Sequence, residues 1–423
     1  VSLASLLATD ATPKGMRADA QRALTPEATL ERVAPRFSTI GLTRLADITG
    51  LDAIGIPVVL SMRPQSGYLS VDGGKGFTRA AALASAAMEC FERHAGEHTP
   101  VERFSAAYAD LPEDRRIRLE ALPLSRNSLF SPRLPEIWVW AESLIGGPPV
   151  AVPSVMVALE RHRHARSSLL PFSFTTNGLN SGNTPSEAIV GALYEVLERD
   201  ATTCTKVSWE SGVPMRRVDL ATASSPDIAE LVGRIHAAGV ELTVADCTVD
   251  TAVPTFSAYL CDLGNPAMAV FTGYGTHLDP EVAVIRAICE AAQGRLVFIA
   301  GSRDDTFRHH RCLYQDYTET HKTLLSQPFT VDLATHADAS GPTFEVDGRT
   351  LLARLEAIGI TQVLSRDLTH PDNGVPVHRV IVPGLEGYMT QDFTPGPRAR
   401  RWARLAASPA GVAPLPAPRR TTP

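Results

Sequence analysis

This chain has little from which to build a cross-linked, membrane-spanning or nucleic-acid-binding protein. Its six cysteines (Cys90, Cys204, Cys247, Cys261, Cys289, Cys312) are scattered through 423 residues with no C-x-x-C pair. That excludes a disulfide framework and a C-x-x-C zinc site, and fits a reduced, cytoplasmic protein. No apolar run reaches the ~18 residues of a membrane span, and the first residues lack the basic, apolar and small-residue order of a secretory signal. With 40 basic against 46 acidic residues, net −6, and no basic stripe, neither nucleic acid nor a membrane is an expected partner. The signatures G-x-x-x-x-G-K-S/T, H-E-x-x-H and G-x-S-x-G and the kinase set are missing; the Lys75 turn lacks P-loop spacing.

What is present is a repeated phrase. Ser85-Ala86-Ala87-Met88-Glu89-Cys90-Phe91-Glu92-Arg93 and Gly191-Ala192-Leu193-Tyr194-Glu195-Val196-Leu197-Glu198-Arg199 are nearly the same small-residue helix ending in carboxylates and arginine. Arg286-Ala287-Ile288-Cys289-Glu290-Ala291-Ala292-Gln293-Gly294-Arg295 is a looser third copy. The glutamates recur at intervals of about 106 and 95 residues, too uneven for a solenoid.

Turn chemistry and periodicity place these phrases in a mixed chain. Residues 1–25 read as a flexible lead-in, followed by a helix at 26–33 with proline at its start. A strand is expected at 56–61, a turn at 72–76, and a helix from Thr78 as cap to about 94. Strands at 137–140 and 150–157 follow a proline-rich excursion at 105–133; Arg161-His162-Arg163-His164-Ala165-Arg166 reads as a solvated basic loop. Residues 227–238 and 241–245 form a helix–strand unit, and 254–261 pairs with 268–272. The third repeated helix spans about 281–299, and a helix at 351–357 and strands at 361–364 and 377–382 complete the core. We therefore expect an α+β fold: one large domain at 26–395, its motifs starting at 72, around three helical arms. Residues 396–423 are expected to be a Pro/Ala/Arg-rich tail.

The repeats carry chemistry. Ser85, Glu89 and Glu92 share one helix stripe, and Glu187, Glu195 and Glu198 another, with Asn183 four residues before Glu187. A lone E-x-x-E-R is ordinarily a solvated face with local ion pairs. Two of them, each set among alanines and led by a glycine-bearing turn (Gly73, Gly74, Gly76; Gly178, Gly182), point elsewhere. Five carboxylates gathered together repel and take up protons unless cations sit between them. Magnesium is held by one or two carboxylates plus phosphates, and Arg93 and Arg199 have the forked donors that meet phosphate oxygens. The glycines allow a backbone to approach a ligand closely. Together these residues imply a metal-chelated polyphosphate such as ATP.

The motifs resemble those of the YcaO family. Ser85-Glu89-Glu92-Arg93 fills every fixed position of its S-x-x-x-E-x-x-E-R helix. Glu187-Ala188-Ala192-Glu195-Glu198-Arg199 fills E-A-x-x-x-A-x-x-E-x-x-E-R. Gly74-Lys75-Gly76, Asn177-Gly178-Gly182 and the segment from Glu290 to Arg295 are similar too, so the likeness covers roughly residues 30–390. The resemblance implies a single YcaO-like domain around an ATP cleft, with ATP and Mg2+ as cofactors and a peptide or protein as substrate. A nucleophile adds to a backbone amide carbonyl, the amide oxygen is phosphorylated, and loss of phosphate leaves an azoline, amidine or thioamide. It implies Glu89, Glu92, Glu195 and Glu198 as magnesium ligands and Ser85, Arg93, Asn183, Glu187, Arg199 and Arg286 as nucleotide contacts. Lys75, Glu290 and Gln293 are further contributors to the ATP site. No side chain is singled out as the catalytic group, since positioning and charge stabilisation suffice.

Subtype signals diverge. Gly41-Leu42-Thr43-Arg44-Leu45-Ala46-Asp47, Ala300-Gly301-Ser302-Arg303-Asp304-Asp305 and Val382-Pro383-Gly384-Leu385-Glu386 are similar to members that work with a TfuA protein, implying thioamide formation from a sulfide source. Pro414-Leu415-Pro416-Ala417-Pro418 resembles the P-x-P-x-P tail of azoline-forming cyclodehydratases, though residues 419–423 follow it. The stretch before Asp72 is too short for both a YcaO start and a winged-helix leader-binding module, so a TfuA-like or leader-binding partner is expected. A homodimer is open to it. The rival readings are a non-catalytic ATP-binding accessory subunit of a modification complex and a protein that binds magnesium or calcium alone. A bare cation site leaves the arginines beside the glutamates without a use.

Overall fold

Thr78, Thr184 and Asp279 each cap a long helix that follows a strand, and these three units set the architecture. The computed structural model describes residues 3–15, 20–67, 69–121, 124–125, 128–159, 171–172, 175–264, 270–303, 323, 325–387 and 394–408. Helix α1 (Pro26–Val33) leads into strands β1 (Arg44–Asp47), β2 (Val58–Met62) and β3 (Val71–Lys75), then helix α2 (Arg79–His98). Next come β4 (Phe104–Ala107), β5 (Pro135–Ser143), β6 (Val150–Pro153) and β7 (Leu179–Ser181), then α3 (Pro185–Glu210). The third stretch is β8 (Arg216–Asp219), α4 (Pro226–Ala237), β9 (Glu241–Asp246), β10 (Thr255–Cys261), β11 (Phe271–Thr276) and α5 (Pro280–Ala300). The chain closes with β12 (Phe329–Asp332), α6 (Phe344–Ala357), β13 (Leu364–Asp367), β14 (Val377–Ile381) and α7 (Pro397–Ala406).

Each arm leaves a different sheet. The first sheet is β1-β2-β3, the second β4-β5-β13-β14-β7 with β6 on β5, and the third β11-β10-β9-β8-β12. Pairing is antiparallel except between β8 and β12. The helices start where the caps predict: Thr78 accepts from Ala81 N, Thr184 from Glu187 N, and Asp279 from Glu281 N and Val282 N. Pro185 and Pro280 occupy first-turn positions, where the missing N–H costs nothing.

The glycines do a different job from the one expected. Residues 71–75 are a strand, not a turn, with Gly73 opposite Leu60 and Gly74 opposite Val59. A Cβ on Gly74 would lie 2.0 Å from Ala86 N; on Gly182, 2.5 Å from Ala188 N; on Gly273, 2.1 Å from Ala291 N. The glycines therefore let each alanine-rich helix backbone lie directly on its own strand, which is why the arm helices are so rich in small residues.

Apolar packing follows these layers. Ile228, Leu231 and Ile235 of α4 pack with Ala283, Ala287 and Ile288 of α5 on the third sheet. Trp138, Val139 and Val152 fill the second sheet, and Ile189, Leu193 and Leu197 of α3 meet Leu351 and Leu355 of α6.

Both chain ends depart from their compositional reading. Leu7 is 2% exposed, and Lys14 Nζ lies 2.6 Å from Asp347 Oδ2 with both side chains buried. Within the expected tail, α7 packs Ala399 and Trp402 against Ala201, Cys204 and Val207 of α3. Long-range ion pairs decide both segments, and composition does not encode them. The basic patch at 161–166, Asn265 and Pro266, Asp304 and Asp305, Cys312 and the proline run at 414–418 lie outside the described residues. Cys90, Cys204, Cys247, Cys261 and Cys289 are buried. Among the described residues no helix is long and apolar enough to cross a membrane.

Candidate functional site

Each arm helix is mostly buried, with a partly open stripe along its middle. On α3 only Gly191, Glu195 and Arg199 stay partly open between its first turn and Cys204, at i, i+4 and i+8. On α5 the partly open positions include Arg286, Glu290, Gln293 and Val297, and on α2 they include Ser85, Met88 and Glu89. These stripes face one another across a cleft of about 720 Å3. All the residues singled out from the sequence line it: Lys75 from β3; Ser85, Glu89, Glu92 and Arg93 from α2; Asn183, Glu187, Glu195, Glu198 and Arg199 from the second arm; Arg286, Glu290 and Gln293 from α5.

The polar contacts tie the arms together. Ser181 N donates to Glu92 Oε2 at 3.1 Å, and Ser181 Oγ to Met88 O, joining the second arm to α2. Gln293 Nε2 donates to Gly73 O, joining α5 to β3. Arg93 Nη2 lies 2.8 Å from Glu89 Oε1, while Arg199 stands 3.9 Å from Glu195 and 3.8 Å from Glu198. Glu187 accepts from Arg22 Nη1 at 3.2 Å and Ala23 N at 3.1 Å, so it also fastens the N-terminal segment over the cleft.

Cation density is short on the first two arms. Burial, then the charges of Glu89 and Glu195, pushes Glu92 well above the usual carboxylate range. Burial lifts Glu195 to about 7 against the pull of Arg199, and lifts Glu198 as well. Asp72 is raised to about 7 by burial and the Glu89 charge, and its Oδ2 is buried without a hydrogen-bond partner. The third arm is the reverse: burial opposes it, but Lys75 at 2.6 Å and then Arg199 hold Glu290 below the usual range.

Buried carboxylates pushed above their usual range, one with an orphaned oxygen, are favoured in their ionised form when a cation sits among them. Among the described residues, no three acidic, histidine or cysteine side chains come close enough to enclose an ion by themselves. That donor set fits Mg2+, which takes one or two carboxylates and completes its shell with water and phosphate.

Several cleft residues carried no usable signal. Asp72 sat among turn formers, and Arg22 in a stretch without periodicity; both line the cleft, as do Asn180 and Arg303. Behind it, Arg379 is 2% exposed and donates to Met156 O at 2.9 Å and Thr175 O at 2.7 Å. Burial lowers it to about 10, although Glu195 and Glu92 act the other way.

Comparison with known proteins bears on this geometry. Residues 73–386 match the family model described as YcaO cyclodehydratase, ATP- and Mg2+-binding. An uncharacterised protein of Methanothermobacter thermautotrophicus is 39% identical over 388 residues, 90% of this chain and 98% of its own. A protein of Rhizobium leguminosarum bv. trifolii, named only as lying in the tfuA 3′ region, is 34% identical over 86% of this chain and 88% of its own. The structure of YcaO from Methanopyrus kandleri bound with AMPPCP and Mg2+ superposes with a TM-score of 0.70 and 25% identity, covering 90% of this chain and 99% of that one. A heterocyclase in complex with substrate and cofactor gives a TM-score of 0.75 at 22% identity over 91% of this chain, a likeness of fold; this chain spans 56% of that longer one.

Proposed function

This chain belongs to the YcaO family, and from that premise we propose that it activates backbone amides of a peptide or protein by ATP-dependent O-phosphorylation. Its cofactors are ATP and Mg2+. What Mg-ATP supplies is a transferable phosphoryl group whose charge is partly neutralised. The chain's own residues position and screen. Glu89, Glu92, Glu195 and Glu198 hold the magnesium; Ser85, Asn183, Glu187 and Arg286 seat the nucleotide. Arg93 and Arg199 place forked donors where negative charge grows on the phosphoryl oxygens. The observation that carries this reading is the convergence of carboxylates from two arms on one cleft that also presents both arginines.

In its finer form, the reaction exchanges oxygen for sulfur with a TfuA-type partner delivering sulfide, in the cytoplasm. The relative from the tfuA 3′ region supports this. Azoline formation is the second reading, favoured by the family's description as cyclodehydratases. Mass spectrometry of a candidate peptide co-expressed with the chain and its genomic neighbours separates them: a gain of about 16 Da for thioamide, a loss of about 18 Da for azoline. Undiminished Mg2+-dependent ATP turnover in both Glu89→Gln and Glu198→Gln would refute the site assignment. Binding of nucleotide without its consumption, with peptide and partner present, would make the chain an accessory subunit instead.

A further inference from the structure

The motif arginine, Arg199, is followed by an aspartate that the cleft does not use. Asp200 is fully buried, and its side chain leaves α3 about 200° around the axis from Glu198, on the opposite face. There it meets the C-terminal helix. Arg398 of α7 donates from Nε to Asp200 Oδ1 at 2.7 Å and from Nη2 to Asp200 Oδ2 at 2.8 Å. The same guanidinium reaches Asp250, between β9 and β10, with Nη1 at 3.2 Å from Oδ2. Asp200 Oδ1 also accepts from Glu386 N at 2.8 Å. Glu386 in turn holds α7: its carboxylate accepts from Gly396 N at 2.7 Å and Ala399 N at 2.8 Å, supplying the cap that Gly396 has no side chain to provide. One arginine thus binds the back of α3 to two other segments, in a geometry only a planar fork satisfies.

We propose that Arg398 and Asp200 are positioning residues of the nucleotide site, and that α7 is the element that fixes the rotation of α3 about its own axis. The proposal rests on the Mg-ATP reading of the cleft. Glu195, Glu198 and Arg199 project from the front of the helix that Asp200 anchors from behind. A rotation of about 10° moves an atom about 6 Å from the axis by about 1 Å, and a displacement of that size is enough to spoil a ligand geometry. Apolar packing by Ala399 and Trp402 holds α7 near α3, and the bidentate pair adds the directional constraint that apolar contact lacks.

The test uses the full chain at a temperature where every variant is folded, and reads ATP binding calorimetrically as Mg2+ is varied. In Asp200→Asn and in Arg398→Met, the Mg2+ concentration for half-maximal ATP binding rises about tenfold. The double variant is no worse than either single one, because the two groups act as a unit. Arg398→Lys, which keeps the charge and loses the fork, falls between. A lowered melting temperature with an unchanged Mg2+ requirement in the folded protein overturns the proposal and leaves α7 a structural element only. If those variants do not fold, Asp250→Asn loosens the same guanidinium while leaving Asp200 paired. A rise of about threefold is then expected, and no change overturns the proposal. Absence of Mg2+-dependent ATP binding in the unaltered chain strikes the proposed function instead, so the two failures are distinguishable.

Discussion

The first two arms and the third share a strand, a capped start, a glycine under the helix and a single open stripe, yet they solve opposite electrostatic problems. Glu92, Glu195 and Glu198 on α2 and α3 are driven toward their protonated forms by burial and mutual repulsion. Glu290 on α5 has its own cation at 2.6 Å and stays ionised. The same scaffold therefore carries two kinds of carboxylate. Under the proposed function, Glu92, Glu195 and Glu198 take a cation that arrives with the ligand, whereas Glu290 on the third arm is already paired with Lys75. A motif match alone treats all three copies as equivalent; local charge separates them.

The sharpest way to break this comparison is to neutralise one carboxylate at a time. Glu92→Gln and Glu198→Gln are expected to lower Mg2+-dependent phosphate release from ATP by about 10²–10³-fold. Glu290→Gln should lower it far less. Equal losses in all three would mean that the third arm also ligates metal.

What the arms share is tested by their glycines. Gly74→Ala and Gly273→Ala each push a methyl into the backbone of the following helix, 2.0 and 2.1 Å from the nearest nitrogen. Backbone cannot step aside as a flexible side chain can, so each should cost about 3 kcal/mol in urea unfolding. A tolerated alanine on one arm alone would show that the two are built differently.

The charge difference also has a pH signature. Glu195 moves from 4.5 to about 7 on folding, and Asp72 from 3.8 to about 7. The folded chain therefore binds more protons than the unfolded chain between those limits, and without ligand its stability falls as pH rises from about 4.5 to about 7, by roughly 2–3 kcal/mol for each of the two groups. Mg2+ with ATP should restore the loss, most strongly above about pH 7, because ionised carboxylates bind the metal best. Thermal melts across pH, with and without Mg-ATP, check both signs. A stability that rises over that window without ligand would mean the carboxylates are paired.

Much of this site was legible before any coordinates. The i, i+3 and i+4 spacing of Ser85, Glu89 and Glu92 and of Glu195 and Glu198 fixes which residues share a face, and helix caps such as Thr78 and Thr184 are local. Residues 26–33 form the expected helix, and 227–238 is displaced by one residue. What stayed hidden depends on distant chain. Gly73 and Gly74 read as a turn because a strand that carries glycine to admit a helix looks the same locally as a loop. Asp72, Arg22 and Arg379 enter or support the cleft through long-range packing that no spacing rule records. The helix at Pro397–Ala406 was hidden for the same reason: its cap is Glu386, ten residues before Gly396, and its anchor is Asp200.

The smallest expected effect is the most discriminating, because it concerns the arm that is already neutralised. Lys75 and Glu290 are each about one quarter exposed, so their ion pair is partly screened and contributes about 1 kcal/mol or less to stability. Lys75→Met should therefore barely move the melting temperature. It leaves Glu290 facing the cleft with only the more weakly acting Arg199 and Arg286 to offset it, which favours cations: the Mg2+ concentration for half-maximal activity should fall rather than rise. Turnover should still drop, by up to about tenfold, because Lys75 no longer offsets the charge that builds on the phosphoryl group. The double variant Lys75→Met/Glu290→Gln removes both charges and should return the Mg2+ requirement to that of the unaltered chain, with turnover only partly recovered. If Lys75→Met instead raises the Mg2+ requirement, Lys75 serves metal binding directly. The third arm then belongs with the first two, and the division of labour drawn from their charges is lost.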